Sequence, residues 1–232
     1  MGEPDEIEVP NPPWLQKRAL RRTRRGGASA LSRESIVEAA LALVDEEGLE
    51  ALTVRRLADR LGVTMMAMYW HVRDKAQLLD LVGEALLAAV ELPARSDDWR
   101  ADLRALLHAA RATLHRHPNA AVLAFGRARY GPSGLAMFER LLEILSDAGF
   151  NDERAGLAYM ALYNLLRGNW SSEASARLDG EAMAGYRDYL AALPASRYPR
   201  AAVVGPALFR SDPAGFFAFA VDTMIAGLDA GS

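Results

Sequence analysis

The sequence predicts an all-α protein, and three observations predict it. From Ser32 onward, apolar residues recur at three- and four-residue spacing in segments divided by glycine or proline. No segment shows the two-residue alternation of a half-buried strand, and no internal repeat is present. Finally, Leu52–Lys75, LTVRRLADRLGVTMMAMYWHVRDK, reads as two short helices joined by a tight turn. A length of 232 residues suits one large domain or two modest ones, and 51% hydrophobic residues can supply a sizeable core.

The elements follow in chain order. Residues 1–31 lack periodicity, and Pro10, Pro12 and Pro13 oppose a helix, so an extended arm is expected. Within it Lys17, Arg18, Arg21, Arg22, Arg24 and Arg25 put six cations into nine positions, ahead of a Gly26-Gly27 hinge. Such a run can neutralise phosphates or lie in a minor groove; the plain alternative is a solvated charge run. The first helix runs from Ser32 to Glu47, capped by Ser32 or Ser35 and ended by Gly48. Ile36, Ala39, Ala40, Leu43 and Val44 form its apolar face, and Glu34, Glu38, Asp45 and Glu46 suit a face turned away from nucleic acid.

Thr53 caps a helix reaching about Arg60, whose inward face is Leu57, Ala58 and Leu61. Gly62 can take a positive φ in the turn, and Val63 can fill the angle. Thr64 caps a second helix ending near Trp70. This is the anatomy of a helix-turn-helix, although an ordinary αα-corner has the same outline. Asp74–Leu92 is the next helix, stopped by Pro93; Asp98–His117 is a long amphipathic one, stopped by Pro118. A shorter helix is expected over Asn119–Arg127, before a turn at Tyr130-Gly131-Pro132, then a helix over Ser133–Asp147 closed by Gly149. Asn151 or Asp152 caps a helix to about Trp170 or Ala176; Gly180–Leu193 is helical and Pro194–Pro206 loop-like; Asp212 caps the last helix, to about Leu228. That last helix is apolar almost all round, with Asp222 its one charge between Pro213 and Ile225, and must be covered on more than one side.

The ending Met68-Tyr69-Trp70-His71-Val72-Arg73-Asp74-Lys75 completes a pattern that resembles the signature of the TetR family of bacterial transcriptional regulators, LTxRxLAxxLGVxxxxLYxHxxxK, with Met68 in place of leucine. The close match covers Arg33 to about Leu81. The resemblance implies an N-terminal three-helix helix-turn-helix DNA-binding domain over residues 32–80, a flexible basic arm over 1–31, and a C-terminal helical ligand-binding and dimerisation domain over 81–232. It implies double-stranded DNA and a second copy of the chain as partners, the dimer forming through the helices over 152–176 and 212–228. Two heads then read half-sites about one helical turn apart. Arg55 is expected to reach a guanine edge or a phosphate, and Thr64 to Trp70 to lie in the major groove. Met65, Met66 and Ala67 occupy base-facing positions and would read thymine methyls and groove shape. Tyr69 and Lys75 are expected on phosphates, with Trp70 and His71 at the backbone edge.

More faintly, HPNAAVLAFG at His117–Gly126, LLEILSDAGF at Leu141–Phe150 and the pair Arg167-Gly168 resemble the tetracycline-repressor type of the family. Where that type places the two histidines of its magnesium–tetracycline site, this chain has Ala124 and Asn164. A different, more apolar effector is therefore expected, with Phe125, Met137, Tyr159, Met160, Tyr163, Asn164, Arg167 and Trp170 as candidate contacts; each is as plausibly plain core or surface.

The composition narrows the alternatives. The chain has no cysteine, hence no disulfide framework and no thiolate nucleophile. No run reaches membrane-spanning length, and the N-terminus lacks a signal-peptide pattern, so a cytoplasmic protein is expected. His108, His115 and His117 lie on one helix without the convergent acids or cysteines of a metal site. Phosphate loops, nucleotide-binding glycines and nucleophile elbows are absent, so neither cofactor, metal nor enzyme activity is expected. The net charge of −3 hides a basic excess over residues 17–80, where a DNA-binding head needs it. A ligand-independent DNA-binding protein, or a helical enzyme or carrier, are the competing readings; repressor and activator are not separated by sequence.

Overall fold

The computed structural model describes residues 31–178, 180–209 and 212–229, all helix, turn and loop with no strand among them. The basic arm, Lys17 to Arg25, lies outside the described residues. Ten α-helices are found among those described: α1 Arg33–Glu47, α2 Val54–Leu61, α3 Met65–Tyr69, α4 Lys75–Ala88, α5 Trp99–Arg116, α6 Pro132–Asp147, α7 Asp152–Leu178, α8 Gly180–Ala191, α9 Ala201–Val204 and α10 Pro213–Asp229. They divide into two compact units, one up to Ile144 and one from Leu145.

In the first unit α1 packs on α2 and α4. Ile36, Ala40 and Val44 of α1, Leu52, Leu57 of α2, Met68 of α3, Val72, and Leu78 and Val82 of α4 are fully enclosed. Fully burying each larger side chain of this kind contributes about 1.5–3 kcal/mol, enough together to hold helices this short. Ser32 caps α1 with a reciprocal box: its hydroxyl accepts the Ser35 N–H, and the Ser35 hydroxyl oxygen accepts that of Ser32. The two serines that compete as caps in the sequence therefore act together.

Helix α4 ends at Ala88, short of the Leu92 expected from Pro93. Its last turn tightens, with the Val90 N–H donating to the Leu87 carbonyl at 3.1 Å. Val90 is still buried, so the apolar spacing there reports burial and not continued helix. A second correction concerns 119–127. No α-helix forms; two 3₁₀ turns, Ala121–Phe125 and Arg127–Tyr130, replace it. Their buried residues are alanines (Ala121, Ala124, Ala128), small enough to let this segment lie against α4. At Gly83 an added Cβ would stand 2.8 Å from the Ala128 Cβ and 3.1 Å from the Leu123 carbonyl oxygen. Helical spacing is common to 3₁₀ and α turns, and only the close approach decides between them.

The second unit pairs α7 with α10. Asn151, not Asp152, caps α7, accepting the Arg154 N–H at 2.9 Å. Phe217, Val221 and Ile225 of α10 and Ala155, Ala158 and Leu162 of α7 are buried. The Arg154 guanidinium ties the two by donating to the Leu228 carbonyl at 2.6 Å. The supposed loop Pro194–Pro206 is partly ordered: it holds α9 and leads into the 3₁₀ turn Gly205–Phe209, both packed on α8. Three prolines argue for a loop in sequence, but Ala201–Val204 lies between them and is free to wind one turn.

Candidate nucleic-acid interface

The reading head is built from the turn outward. Thr53 opens α2 by accepting the Arg56 N–H at 3.2 Å. Gly62 closes it at φ +66, where its N–H reaches the Asp59 carbonyl and the Val63 N–H reaches that of Ala58, at 3.2 and 3.0 Å. This crossed pair satisfies two carbonyls that the helix end would leave open, and only a residue comfortable at positive φ can sit there. Thr64 then caps α3, accepting the Ala67 N–H at 3.2 Å. The turn angle is thus set by backbone hydrogen bonds and two threonines.

The register of α3 decides which side chains look out. Met68 is wholly buried, so the residue that departs from the family pattern still performs the core role of the leucine it replaces. At 3.6 residues per turn, Met66 points almost opposite Met68, and Tyr69 lies between Met66 and Met65 on the outward side. Exposure agrees: 70% for Met66 and 45% for Tyr69, against 0% for Met68. Trp70 caps the end of α3 and is exposed, and Ala67 and His71 are half-buried. Asp74 caps α4 through the Gln77 N–H at 2.8 Å, and the Gln77 side chain returns a bond to the Arg73 N–H at 2.8 Å. Lys75, the first residue of α4, is exposed.

Three arginines on α2 divide by their partners. Arg60 makes a two-pronged pair with Glu46, at 2.7 and 2.6 Å, and Arg56 pairs with Glu47. Hydrogen bonding from Arg60 holds the Glu46 carboxyl below its ordinary range. Arg55 is exposed and carries no such pair among the described residues. In sequence, Glu34, Glu38, Asp45 and Glu46 of α1 suit a face turned away from nucleic acid. In the structure Glu46 and Glu47 brace α2, and the Asp45 carboxylate pairs with His117 Nδ1 at 2.7 Å, beside a bond from the Asn119 amide to the Asp45 carbonyl. Pairs so far apart in the chain leave no local trace.

Another missed group grips α4. Asp80 is 8% exposed and accepts from Arg127 Nε at 3.1 Å and Nη2 at 2.5 Å. Burial pushes its carboxyl above the usual range, with Arg127 opposing the shift. One turn later Glu84 accepts the Ser133 N–H at 2.7 Å. Carboxylates inside LLDLVGEALL were the available signal: acids among apolar residues need partners.

The candidate effector contacts fall in both units. Phe125 and Met137, both half-buried, belong to the first. The other six lie on α7 in the second. Tyr159, Tyr163 and Trp170 are half-buried along one flank, the two tyrosine rings stacked with centroids 6.1 Å apart. Met160, Asn164 and Arg167 are exposed on the face opposite the buried row. Exposed too are Leu157 on α7 and Phe216 and Phe219 on α10, whose outer side forms an open apolar groove with Thr223 and Met224. Among the described residues no cluster of His, Asp or Glu could hold a metal ion, and no helix is long and apolar enough to cross a membrane.

Comparison with known proteins agrees with this geometry. Residues 36–82 match the family model for bacterial regulatory proteins of the tetR family, and 92–231 match the tetracyclin repressor-like C-terminal domain. An HTH-type transcriptional regulator of Saccharopolyspora erythraea is 36% identical over 79% of this chain and 75% of its own length. The tetracycline repressor protein class C of Escherichia coli is 36% identical over 65% of this chain and 72% of its own. Among solved structures, the TetR family protein ActR of Streptomyces coelicolor in complex with (S)-DNPA superposes with a TM-score of 0.80 at 29% identity, covering 88% of this chain and all of that one. The motif, the fold and these likenesses make the chain a member of the TetR family, a DNA-binding transcriptional regulator and not an enzyme.

Proposed function

We propose that the protein is a homodimeric, ligand-responsive repressor of the cytoplasm that binds a palindromic operator and leaves it when a small, largely apolar molecule binds. The observation that carries this reading is the outward row Met65, Met66 and Tyr69 on α3, flanked by Arg55 and Lys75, with Met68 anchoring the helix from behind. In this reading residues 32–80 are the DNA-binding domain and 81–232 the ligand-binding and dimerisation domain. Met65, Met66 and Ala67 meet base edges with apolar surface, so thymine methyls and groove shape supply the selectivity there. Arg55 adds the one strong forked donor, while Thr64, Tyr69, Trp70, His71 and Lys75 hold the backbone and set the register. Lys17 to Arg25 add phosphate contacts from the arm.

Dimerisation through the helices over 152–176 and 212–228 is supported by their exposed apolar side chains, Leu157, Met160, Phe216 and Phe219, on a face that a monomer would leave in water. A two-fold protein matches a two-fold operator. The effector reading rests on the candidates Phe125, Met137, Tyr159, Met160, Tyr163, Asn164, Arg167 and Trp170, and on solved relatives described in complex with (S)-DNPA and with actinorhodin. Release requires that the effector bind a DNA-incompetent state more tightly than the competent one. The 3₁₀ segment that grips α4 at Gly83 and Asp80, followed by the start of α6 at Glu84, is a suitable coupling element, because α4 follows the reading helix directly. Selecting bound duplexes from a random pool tests the reading: a palindromic winner supports it, and a pool without any enriched sequence defeats it.

A further inference from the structure

We propose that Met65 and Met66 are an oxidation site that switches DNA binding off, with peroxide as the oxidant. The inference rests on the reading of α3 as the base-facing helix. Two thioethers stand side by side at the first positions of that helix, at 36% and 70% exposure, while Met68 on the same helix is at 0%. The chain has no cysteine, so no thiol within it intercepts the oxidant first. In other contexts an exposed methionine is inconsequential. Here the reactive sulfurs occupy the surface on which apolar contact with bases depends.

The chemistry is an oxygen-atom transfer. The thioether sulfur attacks one peroxide oxygen, the O–O bond breaks, and the sulfur loses two electrons and keeps that oxygen as a sulfoxide. The other oxygen leaves as water, taking up the proton of the transferred oxygen. A flexible apolar side chain becomes a polar one bearing a strong acceptor. The major groove presents its own acceptors at guanine N7 and O6, at adenine N7 and at thymine O4, and a sulfoxide meets these with repulsion. It also gives up contact with the thymine methyl. Methionine sulfoxide reductases, which draw electrons from a thiol donor, restore the thioether, so the change is reversible. Buried Met68 keeps the helix in place, so the head stays folded while its reading surface changes.

The test uses the full-length dimer, its selected operator and hydrogen peroxide, which spares the neighbouring Tyr69 and Trp70. Peptide mass spectrometry follows sulfoxide at each methionine. Operator DNA should shield Met65 and Met66 from peroxide; a protein that binds operator yet shows no shielding would show that the reading of α3, not the switch, had failed. With shielding established, oxidation should lower operator affinity by about ten-fold or more, the discrimination carried by a base-pair contact. The loss should track sulfoxide at Met65 and Met66, and not at Met183 of α8, and should reverse with the reductase. Met65→Leu/Met66→Leu, with unreactive side chains of similar size, should keep its affinity through the treatment. The proposal is overturned if both methionines are fully oxidised without loss of affinity, or if the leucine variant loses as much as the native protein. If the leucine variant does not bind, the tracking of affinity against site-specific sulfoxide in the native protein decides alone.

Discussion

Replacing Arg127 by alanine should strand a buried carboxylate. Asp80 is 8% exposed and receives two side-chain hydrogen bonds from Arg127, whose own side chain is 56% exposed. Breaking a fully buried pair costs about 3–5 kcal/mol. Here the cation end stands in water and its contribution is screened, so about 1–3 kcal/mol is the reasoned loss. In a chain of this size each kcal/mol lowers Tm by about 2–4 °C. The pH dependence is the sharper signature. The Asp80 carboxyl already titrates above its ordinary value because of burial, with Asp74 adding to that and Arg127 and Arg73 opposing it. Without Arg127 it rises further. A carboxyl whose folded value is raised lends stability below its unfolded value, about 3.9, and that share is lost as pH rises through the folded value. The difference between variant and native protein should therefore be small near pH 4–5 and full at pH 8. Urea unfolding followed by circular dichroism at both pH values measures it. Asp80→Asn/Arg127→Ala should recover much of the loss at pH 8. Equal losses at both pH values, or a double variant no better than the single one, would refute the assignment.

Three further predictions follow from the same structure. Lys75→Ala should weaken binding to all duplexes alike and reduce the log–log salt slope by about one unit; an unchanged slope in a titration removes Lys75 from the phosphate set. Gly83→Ala should lower stability by about 1 kcal/mol, because overpacking against Ala128 and Leu123 outweighs the better helix propensity, whereas Gly185→Ala, with open space around it, should raise stability by about 0.5–1 kcal/mol; thermal melts read both. Phe219→Asp, placing a charge on the exposed apolar side of α10, should yield a monomer in sedimentation at micromolar concentration with its helical content kept, and a dimer there would place the interface elsewhere.

Local features were legible because their causes are local. Thr53, Thr64 and Asp74 act as caps where the sequence places them, and Gly62 makes the left-handed turn. The order of helices was readable from apolar spacing, and the family from a motif that sets a turn and a register. Two expectations went wrong where spacing was ambiguous. The stretch over 119–127 has helical spacing but 3₁₀ hydrogen bonds, and α4 stops before its apolar pattern does.

What the sequence determined alone is the frame of the reading head: its caps and its turn. Each depends on residues a few positions apart, where backbone geometry leaves little choice. What tertiary structure decided is which charges are spoken for. Arg56 and Arg60 are held by Glu47 and Glu46, Asp80 by Arg127, and Arg55 has no carboxylate partner among the described residues. A guanidinium takes whichever carboxylate the fold brings within reach, and across nine to 47 residues that proximity is set by helix packing and not by spacing along the chain.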